Sequence, residues 1–454
     1  TTSFLDGSVV YGSDEKRASE LREFNFGRLK IEENGLLPTI EGTKGMEYVA
    51  GDFRASENPG LSSLQTLFVR EHNRIADELH TENKQLTDEK IYQKARVKVM
   101  GLLQKITYDE FLPTLLGNDA IKEYKGYSEE INPGIFNEFA SSAFRFGHSM
   151  VGNTIARRNE DGSEIEGGDL ELKDAFFNIQ HLQQTGIDVV LRGASLQQAE
   201  EVDNQYHDSL RNFLFSKPPE GSKCPFRGVF RFANGAFPAL DLGARNIQRG
   251  RDHGLADYNT VRESLGLERL TDFSQITSNK ELSTQLSDIY LGDINNIDLY
   301  VGGLAEDHVE GSSLGELFST IITRQFEAIR GGDRFWYENV ENGLFSNDEI
   351  AEIKATKLGD VIERNTGVKG LRDNVFMLNI HGTEGNDKLE GTKLADVFIA
   401  SKGNDSFIGS KGTDIVDYSK IDGPITFRFD GVLKGTNTLD QVGSEAWSGL
   451  EDLA

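Results

Sequence analysis

Two tracts hold the residue types with the most chemistry. Phe144-Arg145-Phe146-Gly147-His148 supplies an imidazole, and Asn246-Ile247-Gln248-Arg249-Gly250-Arg251-Asp252-His253-Gly254 supplies a side-chain amide among arginines. An imidazole is a ligand for iron, and its second nitrogen needs a hydrogen-bond partner that aims the ring. A side-chain amide can serve as that partner. Guanidinium groups present planar forks that match carboxylates. A haem bound through histidine needs all three, because its two propionates also require cations.

The elements that must position these residues read as mainly helical from 1 to about 377. Leu61, Leu64, Leu67, Phe68, Ile75 and Leu79 recur at near-helical spacing through 61–82, with charges between them. Similar periodicity predicts helices through 89–116, 136–150, 195–215 and 313–330. Only 9 prolines occur in the chain, and the glycines gather in the connections between these stretches.

The text changes near 380. Asp387, Asp396, Asp405 and Asp414 recur every nine residues, each followed two places later by Leu389, Phe398, Phe407 or Val416. Gly385, Gly403 and Gly412 precede three of these aspartates by two, and Leu394 breaks the pattern once. This Gly-x-Asp-x-apolar period predicts a parallel β-roll. Turn aspartates there bind calcium between coils, and the apolar residue fills the inside. A flexible acidic linker would lack the phased apolar residues. The alternation Ile425, Phe427, Phe429 predicts a strand beyond the roll. The expected organisation is a helical domain over 1–377, a β-roll over 378–420 and a β-rich tail over 421–454.

With 454 residues the chain can bury a large core, and no apolar run approaches the roughly 18 residues of a membrane helix. The net charge of −26 argues against binding nucleic acid through a basic surface. Cys224 is the single cysteine, so neither an internal disulfide nor a multi-cysteine metal site can form. The chain opens Thr1-Thr2-Ser3 without methionine, so residue 1 is not expected to be the start of the gene product, and a truncation after Ala454 is expected too.

Several further motifs stand in a fixed order. They are Thr2-Ser3-Phe4-Leu5-Asp6-Gly7-Ser8, then Asp52-Phe53-Arg54-Ala55-Ser56-Glu57-Asn58, then Arg70-Glu71-His72-Asn73-Arg74. The histidine and asparagine tracts follow, and Gly331-Gly332-Asp333-Arg334-Phe335-Trp336 comes last. In this order the chain resembles the animal-type haem peroxidases of the peroxidase–cyclooxygenase superfamily across 1–377. The resemblance implies a mainly α fold, haem b and a structural calcium held by Thr2, the Phe4 carbonyl, Asp6 and Ser8. It implies that His148 is the axial ligand steadied by Asn246, and that Arg145 and Arg249 meet the propionates. Arg54 would lie over the distal face, stabilising charge on the leaving oxygen as the peroxide bond splits. Glu57 matches the glutamate that forms an ester with a haem methyl. Asn58 stands where one member has a methionine that forms a sulfonium link, so that link cannot form here.

By this resemblance hydrogen peroxide is the oxidant, and the donors are phenols or bromide, iodide and thiocyanate. The family places its acid–base histidine ahead of the calcium loop, so a companion segment is expected to carry it. The roll resembles those of proteins exported by type I secretion, which implies an extracellular location. Two alternatives stand beside this reading. A fatty-acid oxygenase would need a tyrosine three residues before the axial histidine, where Arg145 stands. A calcium-dependent adhesion protein would keep the fold without turnover. Gly311-Ser312-Ser313-Leu314-Gly315 matches a hydrolase elbow, but the preceding Glu306-Asp307-His308-Val309-Glu310 is too polar for the buried strand that motif requires. His72 and the Asp252-His253 pair are expected to be structural.

Overall fold

The computed structural model describes the chain apart from residues 1, 43–44, 118, 213, 215–239, 310, 372–373, 377–378, 382–385, 387, 391–396, 401–402, 410–414, 419–420, 422–426, 430–444 and 449–454. Its first part is helical. Helix α1 (Pro59–Glu82) opens where the Asn58 side chain accepts from Leu61 N at 2.9 Å, and proline follows in the first helical position. Proline suits that position because its missing N–H would have no intrahelical acceptor. Thr87 caps α2 (Asp88–Ile106), whose first turn carries Asp88 and Glu89 at the positive end of the helix dipole. A π-helical turn, Thr107–Phe111, carries α2 on into Leu112–Leu116.

Four further helices matter for the site and its support: α3 (Leu242–Asp252), α4 (Leu299–Ala305), α5 (Glu316–Gly331) and α6 (Leu358–Asn365). They share one core with α1 and α2, which includes Tyr11, Leu67, Tyr92, Tyr300, Phe318 and Trp336. Glu71 on α1 is fully buried and receives Arg74 of its own helix and Arg364 of α6, which fastens the two helices together. Leu64, expected on the apolar face of α1, is 39% exposed.

Two predicted helices differ. Residues 136–150 break at Ser142 (φ −139°, ψ −81°) into an α-helical turn, Asn137–Ser141, and a 3-10 helix, Ala143–His148. Among the described residues of 195–215, only Asp208–Arg211 are helical. Tertiary bonds take over the polar groups there: the Val202 carbonyl meets His308 Nε2 at 2.8 Å, and Asn204 Nδ2 donates to the Val301 carbonyl at 3.1 Å. The apolar residues that set the period, Val202 and Leu210, pack into two different clusters, so no single helical face forms.

From Asn379 onward the strands lie in two parallel sheets. One joins Asn379–His381, Val397–Ile399 and Ile415–Asp417, and the other joins Lys388–Glu390 to Ser406–Ile408. The second sheet continues through Glu445–Ser448 to Phe427–Phe429, so the tail strands extend the roll. A nine-residue period sends successive strands to alternate sheets, so neighbours in one sheet are two periods apart. Leu389, Phe398, Phe407 and Val416 are all buried in a cluster of their own, and Phe398 meets Phe407 edge-on at 5.6 Å. Among the described residues no helix is long and apolar enough to cross a membrane.

Candidate functional site

His148 closes the 3-10 helix, and its tight winding is fixed from both sides. Phe146 turns into the core, and the Ser149 amide and hydroxyl both donate to the Phe146 carbonyl, at 3.0 and 2.9 Å. Helix α3 starts where Asp241 accepts from Ala244 N at 2.9 Å, and it places Asn246 on its buried face, 1% exposed.

The two tracts meet at these residues. Asn246 Nδ2 stands 2.8 Å from His148 Nδ1. Asn246 Oδ1 accepts from Arg145 Nη1 at 3.3 Å. The positive Arg145 guanidinium draws the amide oxygen, which leaves Nδ2 toward the imidazole. Burial, then the charge of Arg145, pushes the His148 pKa down to about 4, so the ring is neutral and a free electron pair is available. Nε2 meets no hydrogen-bond partner among the described residues.

Arg145 itself is half-buried, and its pKa is lowered first by burial and then by the neighbouring charge of Arg249. Arg145 Nε donates to the Ala140 carbonyl at 3.0 Å. Among the described residues neither arginine has a carboxylate partner. The two guanidiniums lie close enough for their charges to act on each other.

Two tyrosines complete this cluster, and sequence reasoning missed both. Tyr300 of α4 donates its hydroxyl to the Arg145 carbonyl at 3.0 Å and accepts from Asn246 Nδ2 at 3.2 Å. Tyr206 OH lies 3.3 Å from the same nitrogen and hydrogen-bonds to Tyr300 OH. No spacing signal marks these tyrosines, because they come from separate segments.

The other predicted site residues lie elsewhere. Arg54 is exposed and paired in a bidentate way with Asp52, at 3.0 and 2.7 Å; the Glu57 charge adds to the field around it. The Glu57 carbonyl accepts from Phe177 N at 3.0 Å, which ties this loop to the 176–177 turn. Asn58 serves as the cap of α1. In the N-terminal loop, Thr2 Oγ1 and the Phe4 backbone meet at 3.1 Å, and Asp6 Oδ1 accepts from Ser8 N at 2.9 Å, with Gly7 at φ 69° making the turn. The oxygens of Thr2, Phe4, Asp6 and Ser8 thus come from one tight loop. Of the roll aspartates, Asp405 is 1% exposed and follows Gly403 (φ 126°), while Asp387, Asp396 and Asp414 lie outside the described residues. Asn404 N donates to Asn386 Oδ1 at 2.8 Å, joining turns one full coil apart.

The remaining motifs are scaffold. His72 lies between Tyr11 OH at 2.9 Å and the Gly27 carbonyl at 2.8 Å. His253 Nδ1 contacts Ser141 Oγ at 3.1 Å. Ser312 of the elbow-like motif is buried and donates to the Leu115 carbonyl at 3.0 Å; it follows a turn and not a strand.

Comparisons with known proteins identify the family of each part. The profile of the animal haem peroxidases matches residues 1–376, and four copies of the RTX calcium-binding nonapeptide repeat match residues 381–416. Peroxinectin A of Dictyostelium discoideum is 38% identical over 389 residues, which is 82% of this chain and 68% of that protein. The solved structure of peroxidase A from the same organism superposes with a TM-score of 0.70 at 35% identity, covering 82% of this chain and 71% of that one. A fatty acid alpha-dioxygenase of Arabidopsis thaliana shares the fold, with a TM-score of 0.68 at 24% identity over 82% of this chain and 63% of its own.

The family match and its peroxidase relatives make the helical domain that of a haem-dependent oxidoreductase. The chain belongs to the animal haem peroxidase family, with RTX calcium-binding repeats. The family implies haem, and the repeats imply calcium.

Proposed function

We propose that this chain serves a peroxidase that reduces hydrogen peroxide and oxidises phenolic donors, or bromide, iodide and thiocyanate. The observation that carries the reading is the contact between Asn246 and His148 beside two arginines that have no anionic partner among the described residues. The residues suit haem. A neutral imidazole whose Nε2 has no hydrogen-bond partner among the described residues could take iron with its proton moved to Nδ1, and Arg145 and Arg249 would bind the propionates. When bound, haem supplies the redox chemistry that joins peroxide reduction to donor oxidation.

The chain's own residues would divide the remaining work. His148 would hold the iron, and Asn246 would orient its ring. Arg54, its fork held flat by Asp52, would stabilise negative charge on the departing peroxide oxygen. Glu57 would ester-link the haem. The acid–base group that moves the peroxide proton would come from the segment that the family carries ahead of the Thr2–Ser8 loop. Thr2, Phe4, Asp6 and Ser8 would hold one calcium, and Asp387, Asp396, Asp405 and Asp414 those of the roll. We place the domain limits at 1–377, 378–420 and 421–454 and the protein outside the cell, where calcium is high enough to fold the roll.

The test is haem titration of the purified chain, followed by peroxide-dependent oxidation of a simple phenol. Stoichiometric uptake with a Soret band, lost in His148→Ala, supports the reading; an unchanged spectrum in that variant rules out His148 as ligand. Haem binding without turnover, even with the upstream segment supplied, would favour the adhesion reading. The oxygenase reading has no supporting observation beyond the shared fold, and Arg145 fills the place of its radical-forming tyrosine.

A further inference from the structure

Tyr300 and Tyr206 belong to none of the motifs that mark the family resemblance. Tyr300 is 3% exposed, and a phenol has one proton to give and two electron pairs to receive with. Its proton goes to the Arg145 carbonyl, and its oxygen accepts from Asn246 and from Tyr206. Asn246 Nδ2 gives one proton to His148 and the other to the two phenols, while Oδ1 takes Arg145. Every polar atom of the amide and of the Tyr300 hydroxyl is thus engaged. A fully satisfied buried network is rigid, and losing one member leaves the others unpaired.

We propose that Tyr300, backed by Tyr206, is a positioning residue for the axial imidazole, joining the turn that carries His148 to the amide that aims it. This rests on the reading of His148 as the iron ligand. The network ties three segments together: the 3-10 helix through the Arg145 carbonyl, α3 through Asn246, and α4 through Tyr300 itself. The phenols act by position and not by passing protons. Burial raises both phenols, Tyr300 the more strongly, and Tyr300 faces a carbonyl where a base would be needed.

The pair also bears on how the ring would be held once iron is bound. Removing a phenol frees one side of the Asn246 amide, and a less fixed amide leaves the imidazole less firmly aimed, which alters the iron–histidine bond and the potential it sets.

The experiment uses the full chain loaded with haem. Resonance Raman of the ferrous form reads the iron–histidine stretch, and a redox titration reads the ferric/ferrous potential. Tyr300→Phe is expected to shift and broaden the iron–histidine band and to move the potential away from the wild-type value. Tyr206→Phe, a partly exposed site that should fold without difficulty, is expected to shift both in the same direction by less. Wild-type values in both variants would overturn the proposal. If the wild-type protein lacks an iron–histidine band, or His148→Ala retains it, the axial assignment itself fails, and this proposal fails with it.

Discussion

Asn246 and His148 lie 98 positions apart in the chain, yet the amide Nδ2 and the ring Nδ1 stand 2.8 Å apart. Their meeting depends on a cap at Asp241 and a break at Ser142. The first sets the phase of α3 so that Asn246 faces inward, and the second converts an α-helical turn to a 3-10 turn that ends on the histidine. Arg145 lies between them in both space and chemistry, since its carbonyl and its guanidinium serve different members of the same network.

Replacing Asn246 by alanine removes the contact that aims the ring. Partners of a ligating histidine typically contribute 10–100-fold in affinity or activity, so haem binding should weaken by about that factor. A haem titration of Asn246→Ala against wild type measures it. Equal affinities would mean that the amide does not hold the ligand.

Acid should destabilise the fold through His72. Burial pushes its pKa down from 6.5 to about 4, so the folded ring stays neutral while the unfolded one takes up a proton. The stabilisation is complete above about pH 6.5 and is lost as pH falls toward 4, by on the order of 3 kcal/mol. Urea titrations at pH 7 and pH 5 should show the loss in wild type and a flatter dependence in His72→Gln. Equal slopes would assign the acid sensitivity to other groups.

The buried pair of Arg262 and Glu306 offers a stability test at residues outside the site cluster. Glu306 accepts from Arg262 at 2.7 Å, from Tyr258 OH at 2.6 Å and from Leu317 N at 2.7 Å. Glu306→Leu leaves these donors without their acceptor, and breaking such a pair from one side costs about 3–5 kcal/mol. Chemical denaturation reads the cost. A loss under about 1 kcal/mol would mean that solvent or another acceptor replaces the carboxylate.

Calcium should stabilise the roll. A ligand that binds only the folded form at a hundredfold excess over its Kd adds about 2.7 kcal/mol. Chelation should therefore lower the melting temperature of the roll and reduce the β signal in circular dichroism, and added calcium should restore both. Asp405→Ala should weaken the response. An identical melt with and without chelator would remove calcium from the account of residues 381–416.

The sequence alone was enough for features whose cause is local or periodic. A nine-residue repeat dictates a roll because each coil reproduces its neighbour, and Leu389, Phe398, Phe407 and Val416 could be assigned to its interior before any coordinates. Side-chain type was enough to nominate His148, Asn246, Arg145 and Arg249, because few residues suit iron and propionates. What only the tertiary structure decided is how groups distant in the chain share protons and charge. The amide orientation of Asn246, the phenols of Tyr206 and Tyr300, the pairing of Arg54 with Asp52 and the burial of Glu306 against Arg262 all depend on contacts between separate segments. The unwinding of 195–207 has the same origin: bonds to His308 and Val301 replace the helical ones there, and no pattern within the segment itself encodes them.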